Sequence, residues 1–198
     1  MPRVLDFILA LLATMLLAPL FAVIVILVRL RLGAPVLFIQ TRAGRTGQPF
    51  ELVKLRSMHI DTDALGGLLP DAERTPALGR ILRRTRLDEL PELLNILRGD
   101  MAFVGPRPLL PTTIDNLGSL GQLRGSVRPG LTGWAQVNGN AMLTLQQKVA
   151  LDLWYIANRS LSLDLQILVR TLGVVMLGER INNRKLEDAI EGRHRRGC

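Results

Sequence analysis

The sequence predicts an α+β fold, mainly α: a long apolar N-terminal helix, a small β-hairpin, and amphipathic helices around one compact domain. Three observations predict it. The run Phe7–Val28 has Thr14 as its only polar side chain and Pro19 as its only breaker. Val36–Gln40 and Phe50–Leu55 are short β-type runs, and Gly44 and Gly47 supply turn chemistry in Thr41–Pro49 between them. Further on, apolar residues recur at helical spacing from Asp88 to Leu177.

Composition bounds the partners. The 198 residues are 48% hydrophobic, with a mean hydropathy of +0.25, yet they carry 25 Lys and Arg against 17 Asp and Glu. Those two facts together imply contact with a membrane and with something anionic. Aromatics make up only 4%, too few to supply stacking platforms, so nucleic acid is not an expected partner. Cys198 is the single cysteine, which excludes an intramolecular disulfide and points to a reducing compartment.

Taken in order, the apolar run comes first. As a straight helix it would reach about 33 Å, roughly a bilayer core, and a spanning anchor is the simplest reading. It is far longer than a signal-peptide core and is expected to remain in the mature protein. Arg3 precedes it and Arg29 and Arg31 follow, so the charge bias picks no inside. Pro19 favours a kink, and a bent helix that enters and leaves by one face fits the basic flanks equally well.

Ser57–Thr75, with Asp61, Asp63, Gly66, Gly67 and Pro70, reads as an irregular or partly helical connection. Thr75 is the expected N-cap of a short basic helix with Pro76 at its first position, ending near Thr85. The next helix is expected from Asp88 to Arg98, with Leu90, Leu93, Leu94 and Leu97 on its apolar face and Gly99 as its stop. Gly105–Pro108 and Arg128–Gly133 read as loops punctuated by proline and glycine. Thr144 and Ser162 are expected to cap helices at Leu145–Asn158 and Leu163–Leu177, the second suited to a core or a membrane interface. Residues 1–32, 33–178 and 179–198 are the expected membrane helix, main domain and exposed charged tail.

No P-loop, no G-x-S-x-G and no Cys or His cluster is present, and His59 and His194 stand apart. Chemistry must therefore come from carboxylates, Lys and Arg. Asp88 and Glu89 are adjacent at an expected helix start, where free N–H groups and the helix dipole favour negative charge. There Asp88 is suited to be a nucleophile and Glu89 to hold a divalent cation, although plain helix capping explains the pair too. Arg80, Arg83, Arg84 and Arg86 precede the pair, while Arg107 and Arg128 follow it in rigid loops that can aim a guanidinium at phosphate. Lys54 and Arg56 point either to the same anion or to solvent. Asp152, Tyr155 and Asp164 belong more often to helix pairing or to the surface than to a ligand set.

Four stretches in order carry a resemblance: Lys54–Met58 (KLRSM), Leu87–Pro91 (LDELP) through Asn95–Met101 (NILRGDM), Val104–Leu109 (VGPRPL), and Arg128–Gly139 (RPGLTGWAQVNG). Together they resemble the bacterial sugar transferases, the monotopic polyprenol-phosphate phosphoglycosyl transferases, over nearly the whole chain. Each motif is moderately specific; four in order behind an apolar segment are highly specific. The resemblance implies transfer of a sugar 1-phosphate from a UDP-sugar to polyprenol phosphate by a ping-pong route through Asp88. It implies Mg²⁺ on Glu89, phosphate contacts from Lys54, Arg83, Arg107 and Arg128, and a late carboxylate at Asp164. It also implies a re-entrant N-terminal helix in one leaflet of the bacterial inner membrane, with the site on the cytoplasmic face.

Three departures from the family pattern stand out. Ala18 precedes Pro19 where a serine is frequent, Asn140 stands where an arginine is frequent, and Leu145-Gln146 replaces a Trp-acid pair. A membrane-anchored basic module that binds anionic lipid or nucleic acid is the rival reading. It accounts for the net charge of +8 but not for two acids among arginines. A polytopic phosphoglycosyl transferase would need many spanning helices, and the sequence has one candidate.

Overall fold

The computed structural model describes residues 1–60 and 69–195. The apolar run lies within helix α1 (Arg3–Leu32), which continues through Pro19 without a break in its helical run. Among the described residues it is the one helix long and apolar enough to cross a membrane, and only 11% of its most apolar window is buried. Leu12, Leu16, Val23 and Leu30 point outward.

Both ends of α1 are nevertheless fastened to the same domain. Near its start, Arg3 donates to the carbonyls of Ile96 and Leu97, and Asp6 accepts from the Phe103 amide at 3.1 Å. Ala10 packs there with Leu93, Ile96 and Met101. Near its end, Ile24, Val28 and Leu32 pack with Leu55 and Leu82. Arg56 is buried beneath that end and donates to the carbonyls of Leu32 and Ala34. It thereby satisfies acceptors that a helix C-terminus leaves open.

The hairpin forms as expected from β1 (Leu37–Ala43) and β2 (Pro49–Leu55), antiparallel with Phe38 opposite Lys54. Of the Ser57–Thr75 connection, residues 61–68 lie outside the described residues, including Asp61, Asp63, Gly66 and Gly67. Its end forms the short helix α2 (Asp71–Arg74). Helix α3 (Ala77–Thr85) starts after Pro76, so Thr75 is not its cap; the Thr75 hydroxyl bonds back to the Asp71 carbonyl instead. Leu87–Glu89 is a 3-10 turn, and α4 (Glu92–Arg98) begins only after Pro91. Gly99 ends α4 at φ 102°, a conformation that glycine adopts without a Cβ penalty.

The expected apolar face of α4 is off by a residue. Leu94 is 41% exposed, while Leu93, Asn95 and Ile96 are buried. Asn95 is inside because it ties α4 to β2: its amide donates to the Glu51 carbonyl at 2.7 Å and its oxygen accepts from the Val53 amide at 3.2 Å. This bond sets Lys54 against the turn that holds Asp88 and Glu89.

The two Pro/Gly loops are one structure. β3 (Ala102–Val104) pairs in parallel with β4 (Gly130–Thr132), so Gly130–Thr132, read as loop, is strand. A Cβ on Gly105 would lie 2.4 Å from the Arg128 carbonyl oxygen, and one on Gly130 would lie 2.1 Å from the Gly105 nitrogen. Glycine is required at both because backbone meets backbone. Helices α5 (Pro111–Asn116), α6 (Ser119–Arg124) and α7 (Trp134–Val137) complete this region.

Helix α8 (Leu145–Ala157) opens with the expected Thr144 cap, a capping box in which Gln147 answers back. Helix α9 (Leu161–Leu177) is capped by Ser160, not Ser162: the Ser160 hydroxyl accepts from the Leu163 amide. The core between them holds Trp134, Leu151, Tyr155 and Ile167, and Trp134 stacks on Trp154 at 5.0 Å. The expected exposed tail forms α10 (Asn183–Arg195), which buries Leu186 and Ala189 in that core.

Candidate active site

Asp88 and Glu89 sit in the 3-10 turn, 9% and 7% exposed, with neither acting as a helix cap. What stabilises charge here is a set of cations from separate elements. Lys54 of β2 approaches Glu89 Oε1 at 3.1 Å, and Arg107, from the loop after β3, reaches the same oxygen at 2.5 Å. Arg86, the left-handed residue that ends α3, stands 3.9 Å from Glu89 Oε2. Burial would raise the Glu89 carboxyl, but Arg107, Lys54 and Arg86 outweigh it and hold the group down to about 2.

Asp88 behaves oppositely. Burial and then the Glu89 charge raise it, while Lys54 and Arg107 offset part of the rise. A third acid, missed by the sequence reading, completes the cluster. Glu92 is 3% exposed, and its Oε1 lies 3.0 Å from Lys54 Nζ. Burial, outweighing Lys54 and aided by Glu89, lifts it to about 7. Its spacing three residues after Glu89 was the available signal.

Of the expected site residues, the structure brings Lys54, Asp88, Glu89 and Arg107 together. Arg83 stands at the edge, donating to the Ser57 hydroxyl at 3.0 Å. Arg56, a candidate for the same anion or for solvent, is instead turned under α1. Arg128 lines a separate polar pocket with Asp6, Arg45, Tyr155 and Arg159. Asp164 is buried in helix pairing, accepting from the Tyr155 hydroxyl at 2.6 Å and from the Met1 amino group. Asp152 is likewise buried, paired with Arg124 at 2.8 Å. Arg124 also donates to the Arg107 carbonyl, which fixes the loop that aims Arg107.

Asn140, where the family pattern departs, is linked to the cluster indirectly. Its amide donates to Glu179, and Glu179 holds Arg86 at 3.2 Å. Two cavities flank the cluster. One, of about 370 Å³, is basic, with Arg42, Arg107, Lys148 and Asn140 in its lining. The other, of about 400 Å³, is apolar and lies between α1, α4 and α9; among the described residues its charged lining is Arg86 and Glu89.

A divalent cation fits this donor set in one way. Among the described residues no group of three or more Asp, Glu, His or Cys is arranged to hold a metal. Mg²⁺, however, commonly takes one or two carboxylates and fills its shell with water and substrate phosphates. Glu89 is held ionised, and its Oε2 has Arg86 no closer than 3.9 Å, which leaves that oxygen for such a cation.

Comparison with known proteins gives the family. The bacterial sugar transferase family profile matches residues 1–178, and the chain belongs to that family. It is 46% identical over 154 residues to the uncharacterized sugar transferase EpsL of Bacillus subtilis, covering 78% of this chain and 76% of the relative. It is 42% identical over 186 residues to the UDP-glucose:undecaprenyl-phosphate glucose-1-phosphate transferase of Caulobacter vibrioides, covering 86% and 67%. A third relative is the UDP-N-acetylgalactosamine-undecaprenyl-phosphate N-acetylgalactosaminephosphotransferase of Aeromonas hydrophila, 35% identical over 184 residues, covering 89% and 44%.

Proposed function

We propose that this enzyme transfers a sugar 1-phosphate from a UDP-sugar to undecaprenyl phosphate, releasing UMP, as a first membrane step in glycan assembly. The observation that carries the reading is the buried acid pair in one turn, met by cations from three separate elements. A module that only binds anions has no use for two buried carboxylates that compete with its ligand.

The pair divides the work. Asp88, with its pKa raised and no direct ion pair among the described residues, is the nucleophile. One of its oxygens attacks the sugar-bearing β-phosphorus; the bond from that phosphorus to the bridging oxygen breaks, and UMP leaves with the electron pair. An oxygen of the lipid phosphate then attacks the same phosphorus, and the Asp88 carboxylate departs unchanged. Lys54, Arg86 and Arg107 balance charge throughout, and a phosphate oxygen can take the place of Glu89 on any of them. Glu89, together with donor phosphate oxygens, would hold Mg²⁺, which neutralises charge on the phosphates in transit.

The membrane reading is monotopic. It is supported by Arg3 and Asp6 at one end of α1 and Arg56 at the other, which tie both ends to the domain that carries the site. A helix so fastened lies along the domain with its apolar side turned outward to lipid. The cytoplasm, where UDP-sugars are made, is the side on which the site then faces.

The test is UMP release from a panel of UDP-sugars in detergent, with and without undecaprenyl phosphate and Mg²⁺. Sustained release that needs the lipid phosphate supports the function, and the panel names the sugar. No release from any UDP-sugar would leave the family membership without this activity.

A further inference from the structure

The apolar cavity beside Glu89 is unexplained by the donor, since a nucleotide sugar is polar throughout. Its walls come from Ala13 and Leu17 of α1, Leu93 of α4, and Leu168, Leu172 and Val175 of α9. The hydroxyls of Thr132 and Thr171, also in the lining, bond each other at 2.7 Å and leave no polar demand there. α1 and α9 are also the helices with the most exposed apolar outer faces, with Leu16 79%, Val169 70% and Met176 81% exposed. The cavity therefore joins a lipid-compatible surface to the catalytic turn, and among the described residues its charged lining is Arg86 and Glu89. Glu89 lines this cavity and its ion-pair partner Arg107 lines the basic one, where Arg42 and Lys148 offer what a nucleotide's phosphates need.

Resting on the function proposed above, we propose that this cavity seats the isoprene units nearest the phosphate of the acceptor lipid, with Arg86 meeting that phosphate. The two substrates then reach the site from opposite sides. Donor and acceptor need not exchange places between the half-reactions, and the apolar walls keep water off the acyl phosphate on Asp88.

Two substitutions test it by filling the cavity from opposite walls. Ala13→Phe acts from α1, and Leu172→Trp acts from the rim, where 67% exposure gives the larger ring room to be accepted. UMP released in a single turnover without acceptor reports the donor half-reaction; transfer to undecaprenyl phosphate reports the second. The first should stay within about twofold of the parent, while the KM for undecaprenyl phosphate rises about tenfold or more, the cost of excluding one or two buried methylenes. Unchanged KM in both variants would overturn the assignment. Loss of the UMP burst in both, with thermal unfolding unchanged, would put the cavity on the donor side and overturn it equally. A parent enzyme that releases no UMP at all would instead refute the function on which the inference rests.

Discussion

Within one turn, neighbouring acids shift in opposite directions because their partners differ. Both are buried, but Glu89 takes the direct ion pairs and stays charged, whereas burial and the Glu89 charge raise Asp88, which has no ion pair among the described residues. Asp88→Asn preserves shape and should abolish turnover with little change in thermal stability. Arg107→Ala should lose activity by the equivalent of about 1.5–3 kcal/mol, since it removes a charge-assisted contact. Arg128→Ala should lose less, because Arg128 lines a different pocket; equal losses in steady-state turnover would contradict this placement. Glu92 adds a pH dependence. Its folded-state pKa of about 7 lies above an unfolded carboxyl value, so between the two the folded chain binds the extra proton. This contribution to stability therefore falls as pH rises from about 5 to 7. Thermal unfolding across that range should show a smaller fall in Glu92→Gln than in the parent; parallel curves would dismiss the burial of an ionisable group there.

Between elements, the decisive links are single polar side chains, which explains what the sequence did and did not disclose. The anchor, the hairpin, the Thr144 cap and the Gly99 stop were legible because each is a local pattern. The β3–β4 pairing was not, because it joins segments far apart in sequence and rests on glycines that read equally well as turn residues. Helix α10 was hidden by its charges, since among its described side chains a narrow stripe of Leu186 and Ala189 faces the core. Arg56 stands two residues after Lys54, a spacing that would share its face within a strand, yet it lies just past the end of β2, where its guanidinium turns under α1. Arg56→Ala should therefore cost stability, about 1.5–3 kcal/mol in denaturant unfolding, with activity per folded molecule retained. The reverse result would return Arg56 to the site. Arg124–Asp152 is the corresponding fastener of α6 to α8. Removing one partner of such a buried pair should cost about 3–5 kcal/mol and, by freeing the Arg107 loop, lower turnover as well.

At the scale of the whole molecule, the proposed function and the proposed lipid cavity make one arrangement of the apolar helix, the acid pair and the two cavities: a site at the membrane surface that would meet a polar donor on one side and a lipid on the other. If α1 is monotopic, cysteines introduced at Pro2 and at Gln48, with Cys198 replaced, should be labelled from the same side of sealed vesicles; opposite sides would mean a spanning helix. The motifs that revealed the family gave Asp88 and Glu89 directly. The ion pairs that set them apart became visible only when Lys54, Arg86 and Arg107 were brought together from three elements. The central claim is a phosphosugar carried on Asp88. Intact-protein mass spectrometry of the enzyme incubated with its UDP-sugar and no acceptor tests it most directly. The account predicts a gain of one sugar phosphate, mapped by peptide digestion to Asp88 and discharged on adding undecaprenyl phosphate. An adduct on any other residue, or turnover by Asp88→Asn, would contradict it.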